Sequence, residues 1–342
     1  MKIKIKNKII SDFNKPFYVA EAGINYDGNF KKCFKLIDAA KEAGADAIKF
    51  QSHLAEHEMI DTNVTLAHSS KETVFQLMKK CELSESQHRK LKKYCDKKGI
   101  IFLSTPFSAQ AADLLKKISV EAFKIGSGEC NNLPLIEHTT KFKKPTIIST
   151  GMNSLKSIEK TFRFAKKFNP NIILMHCVSI YPTPAKKTML ETIPLLKKKF
   201  NCPVGFSDHS DDINLAIASV SLGANLIEKH FTVSKNWSGP DISISLTPEK
   251  FKNMVNACNE VYLAKGSRKK ILKEEIPVTK FAFASVVSIK QIKKGEKFTK
   301  KNIWVKRPGT GQIHAREYYK ILNKKAKRDL DTNKQIKYSD IN

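Results

Sequence analysis

The sequence predicts a (β/α)₈ barrel of the TIM type followed by a small second domain. Three observations carry this expectation. Strand-like and helix-like runs alternate eight times within about 250 residues. Polar residues cluster just after all eight strand-like runs, where barrel enzymes keep their chemistry. The composition then changes after a charged stretch near residue 265. A doubly wound open sheet is the alternative, and it accounts less well for polar residues after every strand.

The first ten residues, M-K-I-K-I-K-N-K-I-I, alternate like a strand and lack the apolar block of a secretion signal. Phe17–Ile24 reads as the first barrel strand, and the apolar stripe at 33, 34, 36, 37, 40 and 43 makes Phe30–Ala43 a helix closed by Gly44. Ala47–Phe50 is the second strand, followed by a long loop and helices near Glu72–Lys80 and Glu85–Lys98. Ile100–Ser104, Ala122–Ile125, Thr146–Ser149, Ile172–His176, Val204–Phe206 and Leu226–Lys229 supply the third to eighth strands. Helices lie between them, one of them along Asp211–Leu222, and a last one runs over Pro248–Ala264. The barrel domain is expected over 1–265. The stretch 266–280, rich in lysine and glutamate, reads as a linker, and 281–342, with short strands and turn signals such as Lys294-Gly295, reads as a second domain. So few residues bury little surface, so this domain is expected to dock on something.

Composition narrows the function. The formal charge is +28, with 61 basic residues against 33 acidic. The lysines are spread over nearly every helix, only six of the basic residues are arginine, and no nucleic-acid motif is present. Because arginine is the usual phosphate fork and base reader, no nucleic-acid partner is expected. The basic surface suits capture of anionic substrates. No apolar run approaches the roughly 20 residues of a membrane span, so no membrane partner is expected either. Seven scattered cysteines without a C-x-x-C pair read as free thiols in a reducing cytoplasm.

The stretch Val204–Thr232 organises the candidate site. It is strand, helix, strand, with His209 just past the first strand and His230 at the end of the second. Neighbouring parallel strands lie about 4.8 Å apart, so both imidazoles can converge on one divalent ion. Ser207, Asp208 and Glu228 sit beside them as oxygen ligands, substrate contacts or outer partners. Lys49 and Lys124 follow apolar residues inside strand-like runs and are expected to point into the barrel mouth. A buried lysine needs an anion. With nearby hydroxyls and the G-S-G and S-T-G turns, the two lysines make a phosphate or carboxylate cradle; pairing with Glu21 or Glu129 is the structural alternative, and a Schiff-base lysine the other chemical one.

At this point the motifs resemble a family. E-A-G-I-N-Y-D-G-N at 21–29, I-K-F-Q-S-H at 48–53, L-S-T-P-F-S at 103–108, F-K-I-G-S-G-E-C-N-N-L-P-L at 123–135, S-T-G-M-N-S at 149–154, I-Y-P-T-P at 180–184, F-S-D-H-S at 206–210, I-E-K-H-F-T at 227–232 and S-G-P-D at 238–241 are similar to the sialic acid synthases. F-A-F-A-S-V-V at 281–287 and W-V-K-R-P-G at 304–309 continue the resemblance into the second domain. It implies a (β/α)₈ barrel with an antifreeze-like (SAF, β-clip) domain, assembled as a domain-swapped homodimer. It implies condensation of phosphoenolpyruvate with an N-acetylated amino sugar, with release of phosphate. The resemblance assigns Glu21 and Glu129 as catalytic carboxylates. Lys49, Thr105, Lys124, Ser127, Ser149 and Ser207 would hold phosphoenolpyruvate, joined by Ser179. Gln51, Tyr181 and Asp241 would face the sugar, and Arg307 would reach its N-acetyl group in the partner's barrel. His209 and His230 would hold a divalent ion, manganese first and magnesium or cobalt as substitutes.

Three positions depart from the family pattern. Ser179 stands where asparagine is expected, Tyr26 where many members carry histidine, and Phe50 where N-acetylneuraminate synthases carry histidine. Legionaminate synthases often have K-F-Q-S at that place, so Phe50 bears on the choice of sugar. G-E-C-N-N and the second-domain motifs favour N-acetylneuraminate synthase, with N-acetylmannosamine as acceptor; N,N'-diacetyllegionaminate synthase is the alternative. A non-catalytic anion-binding scaffold is the reading from another class, and intact Lys49, Lys124, Glu129, His209 and His230 argue against it.

Overall fold

The computed structural model describes residues 1–66, 69–266 and 269–342. They form two compact units, Met1–Gly266 and Ser267–Asn342. No helix among the described residues is long and apolar enough to cross a membrane.

The first unit opens with an antiparallel hairpin, β1 (Ile3–Ile5) and β2 (Lys8–Ile10), that pairs Ile3 with Ile10. The barrel strands β3 (Phe17–Gly23) and β4 (Ala47–Ser52) follow. After a short antiparallel pair, β5 (Thr65–Leu66) and β6 (Ser69–Thr73), come β7 (Ile101–Pro106), β8 (Phe123–Ile125), β9 (Thr146–Ser149), β10 (Ile172–Cys177), β11 (Val204–Asp208) and β12 (Leu226–His230). Eight strands make one parallel sheet in the order β7-β4-β3-β12-β11-β10-β9-β8. Each strand therefore neighbours the next in the chain, and β12 returns to pair with β3, which is the circular order of a TIM-like barrel. β7 and β8, the two ends of that order, lie side by side without a ladder; β8 has only three residues to offer one.

The helices between strands follow the expected signals. Asn29 caps Phe30–Glu42, which buries Cys33, Leu36, Ile37 and Ala40 against the sheet. Ser84 and Gln87 form a capping box on Glu85–Lys98, and Gly99 ends that helix in the left-handed region at φ 68°. The helix expected from Glu72 begins at Val74 because Thr73 caps it and the residues before it pair as β6. The run from Asp211 is helical only over Asn214–Ser221, since Asp212 bonds the amide of Ile213 ahead of the first turn. Several strands run one or two residues beyond their apolar runs; β4 takes in Gln51 and Ser52, and β11 takes in Ser207 and Asp208. All seven cysteines are free and buried.

The period of two along each strand divides the barrel into an inner and an outer face. Ile3, Ile5 and Ile10 of the hairpin join Phe17, Val19, Ala47, Ile101, Leu103, Ala122, Ile147, Ile173, Met175 and Leu226 in one apolar cluster that fills the lower interior. Alternate residues such as Tyr18, Ile48, Phe102, Phe123, Leu174, Phe206 and Ile227 pack outward against the helices. Gly205 faces inward where a Cβ would lie 2.8 Å from the carbonyl of Leu226 and 3.2 Å from Met175, so only glycine fits there.

The second unit pairs β13 (Ser285–Ser288) with β14 (Ile303–Lys306) and is closed by isolated bridges. Val286, Ile292, Phe298, Ile303, Ile313, Tyr318, Ile321, Ala326, Leu330 and Ile336 form its own core. Of the stretch read as a linker, 267 and 268 lie outside the described residues, and the remainder holds a 3₁₀ turn at Lys273–Glu275 and the start of a helix, Ile276–Ala282.

Candidate active site

Above the apolar layer, the inner face turns polar at the C-terminal ends of the strands. The same alternation that buries Val19, Ala47, Ala122 and Leu226 places Glu21, Lys49, Lys124 and Glu228 one step higher on the same face. Strand register sets them side by side: Glu21 pairs with Lys49, His230 with Glu21, and Ser207 with Glu228. A bulge between Glu21 and Gly23, with Gly23 at φ 51°, ends the regular β3–β4 pairing just above them. The result is a cavity of about 430 Å³ in the barrel mouth.

The floor is a buried four-charge network. Lys49 Nζ lies 2.7 Å from Glu21 Oε2 and 3.6 Å from Glu228 Oε1, and donates to Thr105 Oγ1 at 3.2 Å. Lys124 Nζ donates to both oxygens of Glu228 at 2.8 Å, and Ser207 Oγ adds a third donor at 3.1 Å. Burial opposes the charge on Glu228, but Lys124 and Lys49 outweigh it and hold its carboxyl down to about 2. Glu21 differs. Burial raises it, Lys49 pulls it back, the charge on Glu228 pushes it up again, and it comes to rest at about 7. Two carboxylates within one network are thus driven apart, one fixed as an anion and one poised to exchange a proton near neutrality.

The walls carry hydroxyls and rings. Ser127 Oγ accepts from the amide of Gly151 at 3.1 Å and touches Cys177 Sγ at 3.0 Å. Gly151 sits so close to this wall that a Cβ would come 2.5 Å from Ser179 Oγ and 2.8 Å from both Ser127 Oγ and Cys177 Sγ. Asn153 ties the two turns together, donating to the carbonyls of Ser127 and Gly151. Across the cavity the Tyr181 ring lies 4.3 Å from that of His209 and 6.0 Å from that of His230.

The two histidines meet as the strand ends place them, with ring centroids 5.4 Å apart. Burial keeps both neutral, His209 down to about 4 and His230 to about 3; the His230 ring adds to the effect on His209, and the charges of Lys49, Lys229 and Lys124 add to it on His230. His209 Nδ1 donates to the carbonyl of Val178 at 2.8 Å, which leaves Nε2 with its lone pair toward the cavity. His230 Nδ1 is buried without a hydrogen bond and stands 3.6 Å from Asp241 Oδ2. Neutral rings with free lone pairs suit a mid-row divalent ion. No group of three or more His, Cys, Asp or Glu side chains among the described residues is close enough to enclose one, so the chain offers a two-nitrogen site whose remaining positions would fall to water and substrate.

Neutral histidines also set an acid limit on folding. Each is protonated below about 6.5 when unfolded but stays neutral when folded until about 4 or 3. Glu21 acts in the opposite sense, being protonated below about 7 when folded and only below the ordinary glutamate value of about 4.5 when unfolded. Between those limits the unfolded chain therefore binds at least one proton more than the folded one, and stability falls by about 1.4 kcal/mol per pH unit as the solution is acidified from 6.5. Burial lowers His88 and His176 as well and adds to the fall. Urea unfolding of the metal-free protein at several pH values checks this, and His209→Gln should flatten the slope; stability that holds or rises on acidification would contradict the neutral rings.

Most residues expected from the sequence line this cavity: Glu21, Lys49, Gln51, Thr105, Lys124, Ser127, Ser149, Ser179, Tyr181, Ser207, His209, His230 and Asp241. Glu129 is not among the lining residues; it lies on the turn after β8, where its carboxylate accepts from Asn132 at 2.5 Å. Lys124 accordingly pairs with Glu228 and not with Glu129. Asp208, expected beside the histidines, points outward and pairs with fully buried Lys229 at 2.8 Å, a lysine that also donates to the carbonyls of Ser210 and Asp212 and so pins the turn carrying His209. Arg307 belongs to the second unit, is exposed, and lays its guanidinium 5.9 Å from the Phe281 ring. Two of the three departures leave the cavity. Phe50 is fully buried on the outer face between Tyr26 and Phe102, so its side chain does not line the cavity. Tyr26 is buried too and donates to the carbonyl of Cys81.

A model of the NeuB family matches residues 36–270, more than half the chain. The chain belongs to the NeuB family. Residues 283–342 match the SAF domain. Among NeuB-family relatives, an uncharacterized protein of Methanocaldococcus jannaschii is 41% identical, with 99% of this chain and 98% of the relative covered. The N,N'-diacetyllegionaminic acid synthase of Campylobacter jejuni is 38% identical over 94% of this chain and 99% of its own. The crystal structure of N-acetylneuraminic acid synthetase from Leptospira borgpetersenii superposes with a TM-score of 0.74 at 32% identity, covering 81% of this chain and 95% of that one. Other relatives bear the names pseudaminic acid synthase and N-acetylneuraminate-9-phosphate synthase.

Proposed function

We propose that this NeuB-family protein is a sugar acid synthase that condenses phosphoenolpyruvate with the open-chain aldehyde of an N-acetylated amino sugar. The observation that carries the reading is the buried network of Lys49, Lys124, Glu21 and Glu228 beneath a wall of hydroxyls and paired imidazoles. Phosphoenolpyruvate is held through its phosphate and carboxylate by Lys49, Thr105, Lys124, Ser127, Ser149, Ser179 and Ser207. Its charge adds to that of Glu228 and favours the protonated form of Glu21. Gln51, Tyr181 and Asp241 position the sugar above it. The residues present fit a divalent ion at His209 and His230, manganese in the first instance, which when bound would polarise the sugar's carbonyl as a Lewis acid.

The enol C3 attacks the aldehyde carbon, and Glu21 gives its proton to the alkoxide that forms. The centre left at C2 is oxocarbenium-like and is stabilised by the fixed anion of Glu228. Water adds at C2, Glu21 takes one of its protons, and the tetrahedral intermediate breaks its C–O bond to release phosphate, which takes the proton of the C2 hydroxyl as that becomes the keto oxygen. One carboxyl group held near neutrality serves as acid and then base, a contribution of about 10²–10⁴-fold. Arg307 is assigned to the partner's barrel in a domain-swapped homodimer, where it holds the N-acetyl group.

For the acceptor, the second-domain motifs favour N-acetylmannosamine, which makes the product N-acetylneuraminate. The Campylobacter relative favours the 2,4-diacetamido sugar and a legionaminate product. Phosphate release with each sugar under equal conditions decides between them. N-acetylmannosamine is expected to win by a large factor in kcat/KM, since a polar group left unpaired in a buried site discriminates strongly. Chelation should abolish activity and manganese restore it. No phosphate release with either sugar, or full activity in the chelated protein, would refute the corresponding part of the reading.

A further inference from the structure

His53 closes the I-K-F-Q-S-H motif and has so far been given no task. It stands behind the cavity wall, 4% exposed, with its ring stacked on Phe107 at 4.4 Å and an interplanar angle of 13°. Its Nδ1 lies 2.7 Å from Glu58 Oε1, and its Nε2 lies 3.0 Å from Gln51 Oε1. Gln51 in turn donates its amide to Glu21 Oε1 at 3.2 Å. The second oxygen of Glu58, whose side chain is 3% exposed, accepts from the amide of Leu54 at 3.3 Å. A continuous path therefore runs Glu58, His53, Gln51, Glu21.

With Glu21 and Glu58 both as carboxylates, counting protons along this path restricts it to one pattern. Gln51 gives its N–H to Glu21 and so presents its carbonyl to His53, which needs a proton on Nε2. Glu58, as a carboxylate, needs a proton on Nδ1. A neutral ring has only one. With it on Nδ1, two acceptors face each other at 3.0 Å; with it on Nε2, a ring lone pair faces a carboxylate at 2.7 Å and a buried anion lacks its counter-charge. Turning the Gln51 amide over points its carbonyl at Glu21, which a neutral His53 tolerates only while Glu21 holds its proton; once Glu21 is ionised two acceptors face each other there instead. Both contacts close when the ring and Glu58 form an imidazolium–carboxylate pair, and the flat stack on Phe107 suits a cation over an aromatic face.

We infer that Glu58 and His53 are a positioning pair that locks the Gln51 amide with its N–H on Glu21, and thereby fixes the acid–base carboxyl of the reaction. The inference rests on the proposed reaction only for its effect on rate; the charge on the ring stands apart from it. Imidazole ¹⁵N–¹H correlation spectra of the full-length protein at about pH 8, where Glu21 is ionised, with His53 assigned by its loss in His53→Gln, should show both nitrogens protonated, and Glu58→Gln should return the ring to a neutral form. In phosphate release, Glu58→Gln should lower kcat by about 10–100-fold and leave KM for phosphoenolpyruvate almost unchanged. Added to Gln51→Ala, the same change should cost nothing more, because the pair acts only through Gln51. A neutral His53 ring in the unaltered protein overturns the inference, as does a full further loss in the Gln51→Ala background. Should no sugar support phosphate release, the proposed function fails, while the His53 spectrum still decides the charge pair.

Discussion

Lys124→Met should lower kcat/KM by at least about a thousandfold, the scale of losing a preorganised charge aimed at the reacting group. It should also destabilise the barrel by about 3–5 kcal/mol, because the buried Glu228 loses its closest counter-charge and keeps only Lys49 at 3.6 Å. Lys124 Nζ meets both oxygens of Glu228 at 2.8 Å and is 3% exposed, so water cannot replace it without opening the floor. The two effects separate in a double variant. Lys124→Met with Glu228→Gln removes both charges and should recover most of the stability while leaving activity lost. Urea unfolding and phosphate release on the three proteins check this. A single variant as stable as the parent would show that the pair is not buried as a unit, and an active double variant would remove Lys124 from phosphate binding.

Co-expression of two inactive proteins, Arg307→Ala and Lys124→Ala, should restore activity to about half the sites of the mixed dimer. If Arg307 of one chain completes the barrel of the other, one site in the heterodimer carries both defects and its companion carries neither. If each arginine serves its own barrel, every site keeps one defect and mixing restores nothing. The effect is all or none, which makes it insensitive to the exact cost of either change. Differently tagged chains, purified through both tags, verify the heterodimer. A protein that sediments as a monomer, or a verified heterodimer without activity, would defeat the assignment.

The barrel was legible because two periods are written plainly in the chain. Apolar residues at helical spacing mark Phe30–Glu42 and Glu85–Lys98, and the alternation in β4 and β8 tells that Lys49 and Lys124 share a face with Ala47 and Ala122. That alternation also predicts Glu228, which shares the inner face with Leu226, whereas Glu129 was singled out by the family resemblance. Once a strand ends, the period of two no longer applies, so Glu129 has no face assigned by sequence. Asp208 could have been read correctly: it alternates with Ser207 and must point outward if Ser207 points in. The same rule keeps the Phe50 side chain out of the cavity. What no pattern in the chain reveals is which carboxylate each lysine chooses, since that depends on strand neighbours far apart in sequence, such as Lys124 and Glu228. Nor does it reveal the path from Glu58 through His53 to Gln51, which needs coordinates before protons can be counted.

The hairpin of Ile3–Ile10 has a temporal consequence. Ile3, Ile5 and Ile10 complete their burial when they meet Met175 and Leu226, yet the hairpin leaves the ribosome long before those strands exist. At about 5–20 residues per second of synthesis, it waits roughly ten to forty seconds with its apolar side uncovered. The barrel floor is thus made before the barrel strands and is among the last parts of the barrel to be sealed. A slowly translated chain, or one with codons that stall before β12, should be exposed to chaperone capture and aggregation through this hairpin, whereas a chain released whole can close its base in a single event.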